Sequence, residues 1–472
     1  MPKVGYTSIV GQKKLIFPFA GALVILLFIV PLFLGYITVL ALLVTATLFL
    51  LSTVHPKFAI TLWLVVCAFL PFWFGINDPF YMPASSIAGV VVLGGAFLGE
   101  RWTLSRIDLS IYIFCALCVA CGLAGISRPG DVTNVVTQWL LSYLVGRLLV
   151  QRAGLEFTFR AIAIIFSAAA SFAILEFVFD WNPYYSLVVD NTQYLAWGHE
   201  QDRGGIVRAE WAFGHSIALG CSLSLAIPIV FAAKFRPLYR AAMVAVLLGG
   251  TVVSFSRSGM LSAVLAIILS LFFYKSGTRS KGKAALVFVF VAVAWFTIPS
   301  IVKVFGAEGR RATISSDYRL TLIDLIPSMN PLGLANGYTE PSQGEFYFQG
   351  YQSIDSTYVL LGVSFGYVIA ALALVGTGWL LWSVLRRTKS APAVSLVAVT
   401  PALFTVALIT QFGSLVWFFV GMVSLVDHLG KKELSRNPEI SSTLAKAVSS
   451  KQSMVPSAIS NASVGDGNAN RE

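Results

Sequence analysis

"AAMVAVLLGGTVVSFSRSGMLSAVLAIILSLFF", residues 241–273, sets an arginine and three serines between two apolar runs. A bilayer span needs roughly 20 mostly apolar residues, and a charge in its middle is costly. The stretch therefore reads as two membrane helices joined by a tight turn, Ser254–Gly259, that brings Arg257 to the surface. The rest of the chain repeats the pattern. Of its 472 residues 57% are hydrophobic and only 12% charged, and the mean hydropathy is +0.79, far from that of a soluble domain. A window reading places about fourteen apolar runs, near 15–32, 35–53, 58–74, 83–99, 108–125, 131–149, 159–178, 212–232, 239–253, 259–274, 284–302, 354–382, 393–411 and 413–427. The predicted fold class is all-α: a polytopic membrane helix bundle of about fourteen transmembrane helices over residues 1–432.

Basic residues near span ends stay on the cytoplasmic side. Lys3, Lys13 and Lys14 place the N-terminus inside, and alternation then puts both termini and 25 of the 33 basic residues inside, leaving 8 basic and 13 acidic residues outside. The basic pI thus reports topology, and no nucleic-acid footprint is needed to explain it. The first run lacks an A-x-A cleavage site, so it reads as an uncleaved anchor. Cys67, Cys115, Cys118, Cys121 and Cys221 all fall inside spans. The triplet 115, 118, 121 has the look of an iron–sulfur run, but it stands at helical spacing in lipid without a fourth cysteine, which fits small packing residues.

Two external segments are long, 179–211 and 303–353. In the second, "DYRLTLIDLI" (317–326) spaces Tyr318, Leu322, Leu325 and Ile326 as a short amphipathic helix ending at or soon after Pro327. It is expected to lie on the outer membrane face, with Arg319 turned toward whatever the loop covers. Residues 433–472 are rich in Ser, Ala and Asn without periodicity, and read as a disordered cytoplasmic tail.

The outer face carries the candidate chemistry. Arg257 is flanked by Ser254, Ser256 and Ser258, and hydroxyls beside a guanidinium suit an anionic phosphate. A turn arginine that merely snorkels has the same sequence. Arg128, Arg203, Arg208, Lys303, Arg310, Arg311 and Arg319 are the other external cations, enough to hold a pyrophosphate without a metal. His199, His215 and Asp355 are the candidate bases. His215 opens the eighth run, where a helix N-terminus can satisfy it, and Asp355 stands where an N-cap would.

Three stretches together, "RAEWAFGHSIALG" (208–220), "SFSRSGM" (254–260) and "YRLTLIDLIPSMNPLGLANG" (318–337), resemble the O-antigen ligase and Wzy-type polysaccharide polymerase superfamily over about residues 208–418. The resemblance implies transfer of a saccharide from a polyprenyl pyrophosphate to an acceptor hydroxyl, outside the cytoplasmic membrane, with no metal or cofactor. It assigns the pyrophosphate to Arg257 with Ser256 beside it, to Arg208, and to one of Arg310, Arg311 or Arg319. The implied partners are the lipid-linked donor and acceptor, the bilayer, and a chain-length regulator or export machinery. Ligases carry a histidine, a small polar residue, nine residues and a glycine. Here Asp355, Ser356 and Gly366 stand at that spacing, with Ile369 where Gly, Thr or Tyr is expected. The missing histidine favours a polymerase over a ligase and leaves Asp355 or His215 to accept the proton. A transporter or flippase is the competing class, but such proteins place ionisable groups near the midplane. Here Glu176 falls near the outer end of its run and Arg147 near the inner end of its own.

Overall fold

Apolar runs become helices in lipid because every backbone N–H and C=O must be satisfied within the segment. The computed structural model describes residues 36–78, 80–97, 103–203, 205–274, 318, 321–342, 345–386 and 390–436. Its helices are α1 (Tyr36–Val54), α2 (Pro56–Phe69), α3 (Ala84–Phe97), α4 (Arg106–Leu123), α5 (129–153), α6 (Leu155–Phe179), the short α7 (Thr192–Trp197), α8 (Ser216–Ala232), α9 (Pro237–Val253), α10 (Arg257–Phe273), α11 (Thr357–Phe365), α12 (Tyr367–Arg386), α13 (Ala391–Thr405) and α14 (Thr410–Arg436). Three two-stranded hairpins stand in the loops: Gly75–Ile76 with Met82–Pro83, Asp202–Arg203 with Ile206–Val207, and Tyr338–Ser342 with Glu345–Phe348.

Among the described residues four helices are long and apolar enough to cross a membrane, α4, α6, α12 and α14 as far as Gly430, and seven shorter apolar helices of 10–17 residues accompany them. Leu109, Ile113, Ile164, Val375, Trp379 and Phe272 are exposed on these helices, as expected of surfaces facing lipid. The expected runs at 15–32 and 284–302, and the tail beyond Arg436, lie outside the described residues.

The core is built around α8, of which all residues but Ile217 and Ala232 are buried. It packs against α6, α9, α10 and α13. Its crossing with α10 is close because both helices present glycine: a Cβ on Gly259 would stand 2.9 Å from the Gly220 backbone. Ser224 on α8 donates its hydroxyl to the Gly259 carbonyl at 2.9 Å. Small residues that let backbones approach are the usual means of joining helices in lipid.

Helix α5 contains two π-helical segments, Val135–Leu140 and Val145–Leu149. Beside them it meets α14 at a second glycine crossing, where a side chain on Gly146 would collide with the Phe418 carbonyl and one on Gly421 with that of Tyr143.

The run expected at 354–382 is not one helix. It breaks at Gly366, whose φ is +100°, into α11 and α12. Tyr358 Oη lies 2.8 Å from Thr377 Oγ1, ten residues along α12 and so about 15 Å from its start. At the other end of α11, Gly333 N–H donates to the Phe365 carbonyl at 2.8 Å. The chain therefore enters deep, climbs back through α11 and only then crosses. The helix expected over 317–326, ending at or soon after Pro327, is helical at Tyr318 and Thr321 and tightens into a 3-10 helix over Leu322–Ser328, which buries Leu322, Leu325 and Ser328 at a period of three. Leu322 and Leu325 pack with Phe348, Ile354 and Val363, while Ile323 and Ile326 are exposed.

The end of α6, the entry to α8 and the turn between α9 and α10 meet on the face that carries Arg257. Its opposite is organised by Arg147 and Asp108, whose side chains are each 1% exposed and approach to 3.1 Å. The Asp108 carboxylate also accepts from Tyr143 Oη at 2.5 Å, Ser424 Oγ at 2.5 Å and Ser105 N–H at 2.7 Å. Arg147 donates further to Gln151 at 2.8 Å and to the Thr103 carbonyl at 3.1 Å. The network ties α4, α5 and α14 together, and every charge in it is answered. A buried pair of this kind is costly to break from one side and tolerant of apolar replacement on both. Arg147→Met alone is therefore expected to cost about 3–5 kcal/mol, read as a lowered thermal midpoint in detergent. The double variant Asp108→Leu/Arg147→Met should recover most of that loss.

Candidate functional site

The site begins with a carboxylate in α6. Glu176 accepts from the backbone N–H groups of Glu210 at 3.1 Å and Trp211 at 2.7 Å, and from Asn182 Nδ2 at 2.8 Å. These bonds fix the segment before α8, where Trp211 takes φ +48°. From the other side Gln411 Nε2 donates to the Leu70 and Ala212 carbonyls at 2.9 and 2.8 Å. The segment so held carries Arg208, whose Nε donates to the Ser254 carbonyl at 3.0 Å. Ala209 N–H donates to the Val253 carbonyl at 3.1 Å. Two backbones are thus joined at the turn expected from sequence.

That turn is tightly determined. Phe255 is buried at φ +46°, an uncommon conformation for a bulky residue, with its ring 5.7 Å from Phe177. Ser254 Oγ donates to the Thr251 carbonyl at 2.6 Å and accepts from Ser256 N–H at 3.3 Å. Ser256 is the N-cap of α10, its Oγ accepting from Gly259 N–H at 3.1 Å. Ser258 Oγ pairs with Thr405 Oγ1 at 3.1 Å. Ser254 and Ser256 shape the turn, Ser258 ties it to α13, and Arg257 is the first residue of the helix that Ser256 starts.

Asp355 reaches the same region through α13. Thr357 gives both its N–H (3.1 Å) and its Oγ1 (2.8 Å) to the Val406 carbonyl, next to Thr405. The cap of α11 is not Asp355 but Ser356, whose Oγ accepts from Val359 N–H at 3.4 Å. Asp355 is therefore relieved of the capping role; its Oδ1 accepts from Ser353 Oγ at 3.0 Å.

His215 caps α8 as the sequence allowed. Its Nδ1 accepts from Ile217 N–H at 3.1 Å, and the ring stands edge-on to Trp197 at 5.8 Å. Burial first, and the Arg208 charge second, push its pKa down to about 3. A neutral imidazole whose Nδ1 is a cap acceptor carries its proton on Nε2. His215 is thus a neutral donor, and it would have to give up the cap to take a proton.

Nothing in the sequence announces the role of two polar groups, Glu176, legible only as a charge near a run's end, and Glu210. Glu210 is 0% exposed, and neither of its carboxylate oxygens has a hydrogen bond of full geometry among the described residues. Burial and the neighbouring Glu176 charge push its pKa well above the carboxylate range, against the pull of Arg208.

The other candidates fall away or lie elsewhere. Arg128 is held by Asp131, with Nε–Oδ2 at 2.9 Å and Nη2–Oδ1 at 2.5 Å, and stacks 3.6 Å from the Phe346 ring centroid, clamping the hairpin of Tyr338–Ser342 with Glu345–Phe348. His199 is exposed, edge-on to Tyr194. Arg310, Arg311 and Arg319 lie outside the described residues.

The capping geometry makes a pH prediction. A histidine held at a pKa of about 3, against 6.5 in the unfolded chain, contributes stability that is whole above 6.5 and lost as pH falls toward the folded value. The thermal midpoint should therefore drop between pH 7.5 and pH 5 through this residue. Glu210, raised by burial, works in the opposite sense, so the His215 part is read by difference. His215→Asn keeps a capping side chain and should remove that part of the drop; an unchanged pH profile in the variant would contradict the assignment. Neither a protein-family profile, a curated protein nor a solved structure matches the chain, so any functional reading stands on this geometry and on the sequence motifs.

Proposed function

We propose that the chain polymerises oligosaccharide repeat units carried on polyprenyl pyrophosphate, at the outer face of the cytoplasmic membrane, by metal-independent inverting glycosyl transfer. The observation that carries the reading is the convergence on one face of Arg208, Arg257 and Asp355, joined through Ser254, Thr405 and Val406. Pyrophosphate is already a good leaving group, so the protein's task is to neutralise its growing charge and orient the acceptor. Arg208 and Arg257 supply forked donors for phosphate oxygens. Asp355, no longer needed as a cap, receives the acceptor proton as the new oxygen–carbon bond forms and the carbon–phosphate-oxygen bond breaks. His215 offers its Nε2–H as a neutral donor to a phosphate or sugar oxygen, a role that replaces the proton-accepting one. The Asp108–Arg147 pair lies on the opposite face and is fully answered there, which supports a structural part for it over a transport path.

Purified protein given a lipid-linked oligosaccharide should produce a ladder of lengths. Arg257→Lys should lose most of that activity with expression intact, because an ammonium lacks the fork. Asp355→Asn should lose roughly 10²–10⁴-fold, the usual worth of a general base. Normal ladders from both variants would remove the site. Orientation has its own test. A cysteine at Gln349, exposed on the Arg257 face, should react with an impermeant thiol reagent on intact cells, and one at Lys234, exposed on the other face, only after the membrane is opened.

A further inference from the structure

Beside the arginine turn, at the end of α6, lies a cavity of about 290 Å³ lined by Glu176, Asp180, Trp181, Asn182, Tyr185 and Glu200, with the 205–207 backbone on one side. Its volume is close to the lower end of small-molecule sites, roughly 300–1,000 Å³. Three of the lining side chains are carboxylates. Two further polar groups point to a ligand. Among the described residues Tyr185 Oη and both oxygens of Glu210, which follows the lining residue Ala209, are buried without a hydrogen bond of full geometry, met only weakly by Asn182 and by the Gln201 N–H. Buried polar atoms of native proteins are nearly always satisfied, and a ligand rich in hydroxyls would satisfy these.

We infer that this cavity binds one neutral or basic sugar ring, as the acceptor subsite of the transfer proposed above. Carboxylates and a phenol take sugar hydroxyls as donors and acceptors, and Trp181, 59% exposed at the rim, offers a flat apolar face for the ring's C–H side. A metal ion fits less well, since among the described residues no three His, Cys, Asp or Glu side chains stand close enough to hold one. The same carboxylates set the selectivity. A uronate or phosphorylated sugar would meet like charge, which costs affinity.

The inference rests on the glycosyl-transfer reading, but its test does not use activity. Saturation-transfer NMR on the full chain in detergent would compare a neutral methyl hexoside, a methyl aminohexoside and a methyl hexuronide at pH 7.5. The first two should bind and the hexuronide should be at least about tenfold weaker. Trp181→Ala should weaken binding about tenfold, with an unchanged thermal midpoint, and Glu200→Gln should narrow the gap between hexoside and hexuronide. Three results would overturn the assignment: no glycoside binding by folded protein, binding indifferent to Trp181→Ala and Glu200→Gln, or saturable binding of calcium or spermidine with none of any glycoside. If glycosides bind as described while no ladder forms from lipid-linked substrate, the saccharide site stands and the polymerase reading fails.

Discussion

Everything on the Arg257 face depends on one carboxylate near a helix end. Glu176 answers two consecutive backbone N–H groups and a side-chain amide, donors that in an apolar setting would each be expensive to leave open. The 208–215 segment can therefore be irregular, with Trp211 at positive φ, and still enter the bundle. Arg208 is aimed by that irregularity. A helix running straight through these residues would leave it facing lipid or its neighbours, and the Ser254 carbonyl would lose its donor. The turn at 254–256, strained at Phe255, is in turn over-determined by Arg208, Ser256 and the glycine contact beneath it.

The two faces of the bundle use the same resources differently. Around Asp108 and Arg147 each donor meets an acceptor, and the result is a rigid knot that joins three helices. Around Glu210 and Tyr185 the polar atoms outnumber their partners. Close glycine crossings run under both, at Gly220 with Gly259 and at Gly146 with Gly421. Helices in lipid gain no hydrophobic driving force from apolar contact, so the close van der Waals packing at these approaches, with the hydroxyl of Ser224, supplies cohesion that a soluble core would take from burial.

Much of the helical layout was legible, because the apolar runs and the turn at 254–258 are local signals. What the sequence hid is local chemistry that looks alike on paper. In "LLGVSFGYVI" the hydrophobic run passes through both Gly362 and Gly366, and nothing in the pattern tells which glycine, if either, turns the chain. Asp355 and Ser356 are adjacent and both favoured at N-caps, so a single-residue ambiguity decided whether the carboxylate was occupied. Leu322 and Leu325 in "DYRLTLIDLI" suit an α-helix or a 3-10 helix alike, and the tightening from Leu322 onward goes with their packing against Phe348 and Val363. Asp108 and Arg147 stand 39 positions apart, a pairing no periodicity announces. The serines around Arg257 also carry structural bonds that the sequence does not announce, Ser254 in the turn, Ser256 as cap and Ser258 to Thr405.

The break at Gly366 also fixes a register. Because α11 is anchored at one end through Thr357 on Val406 and at the other through Phe365 on Gly333, it acts as a strut of set length, and each residue added to it would turn its foot by about 100°. A single insertion between Thr357 and Phe365 would swing the segment bearing Asp355 away from Val406, whereas the hairpin Tyr338–Ser342 with Glu345–Phe348, which already accommodates an irregular register, can absorb extra length. Lineages of such a chain are thus free to vary in that hairpin, and constrained in count, more than in composition, along the nine residues that hold the carboxylate in place.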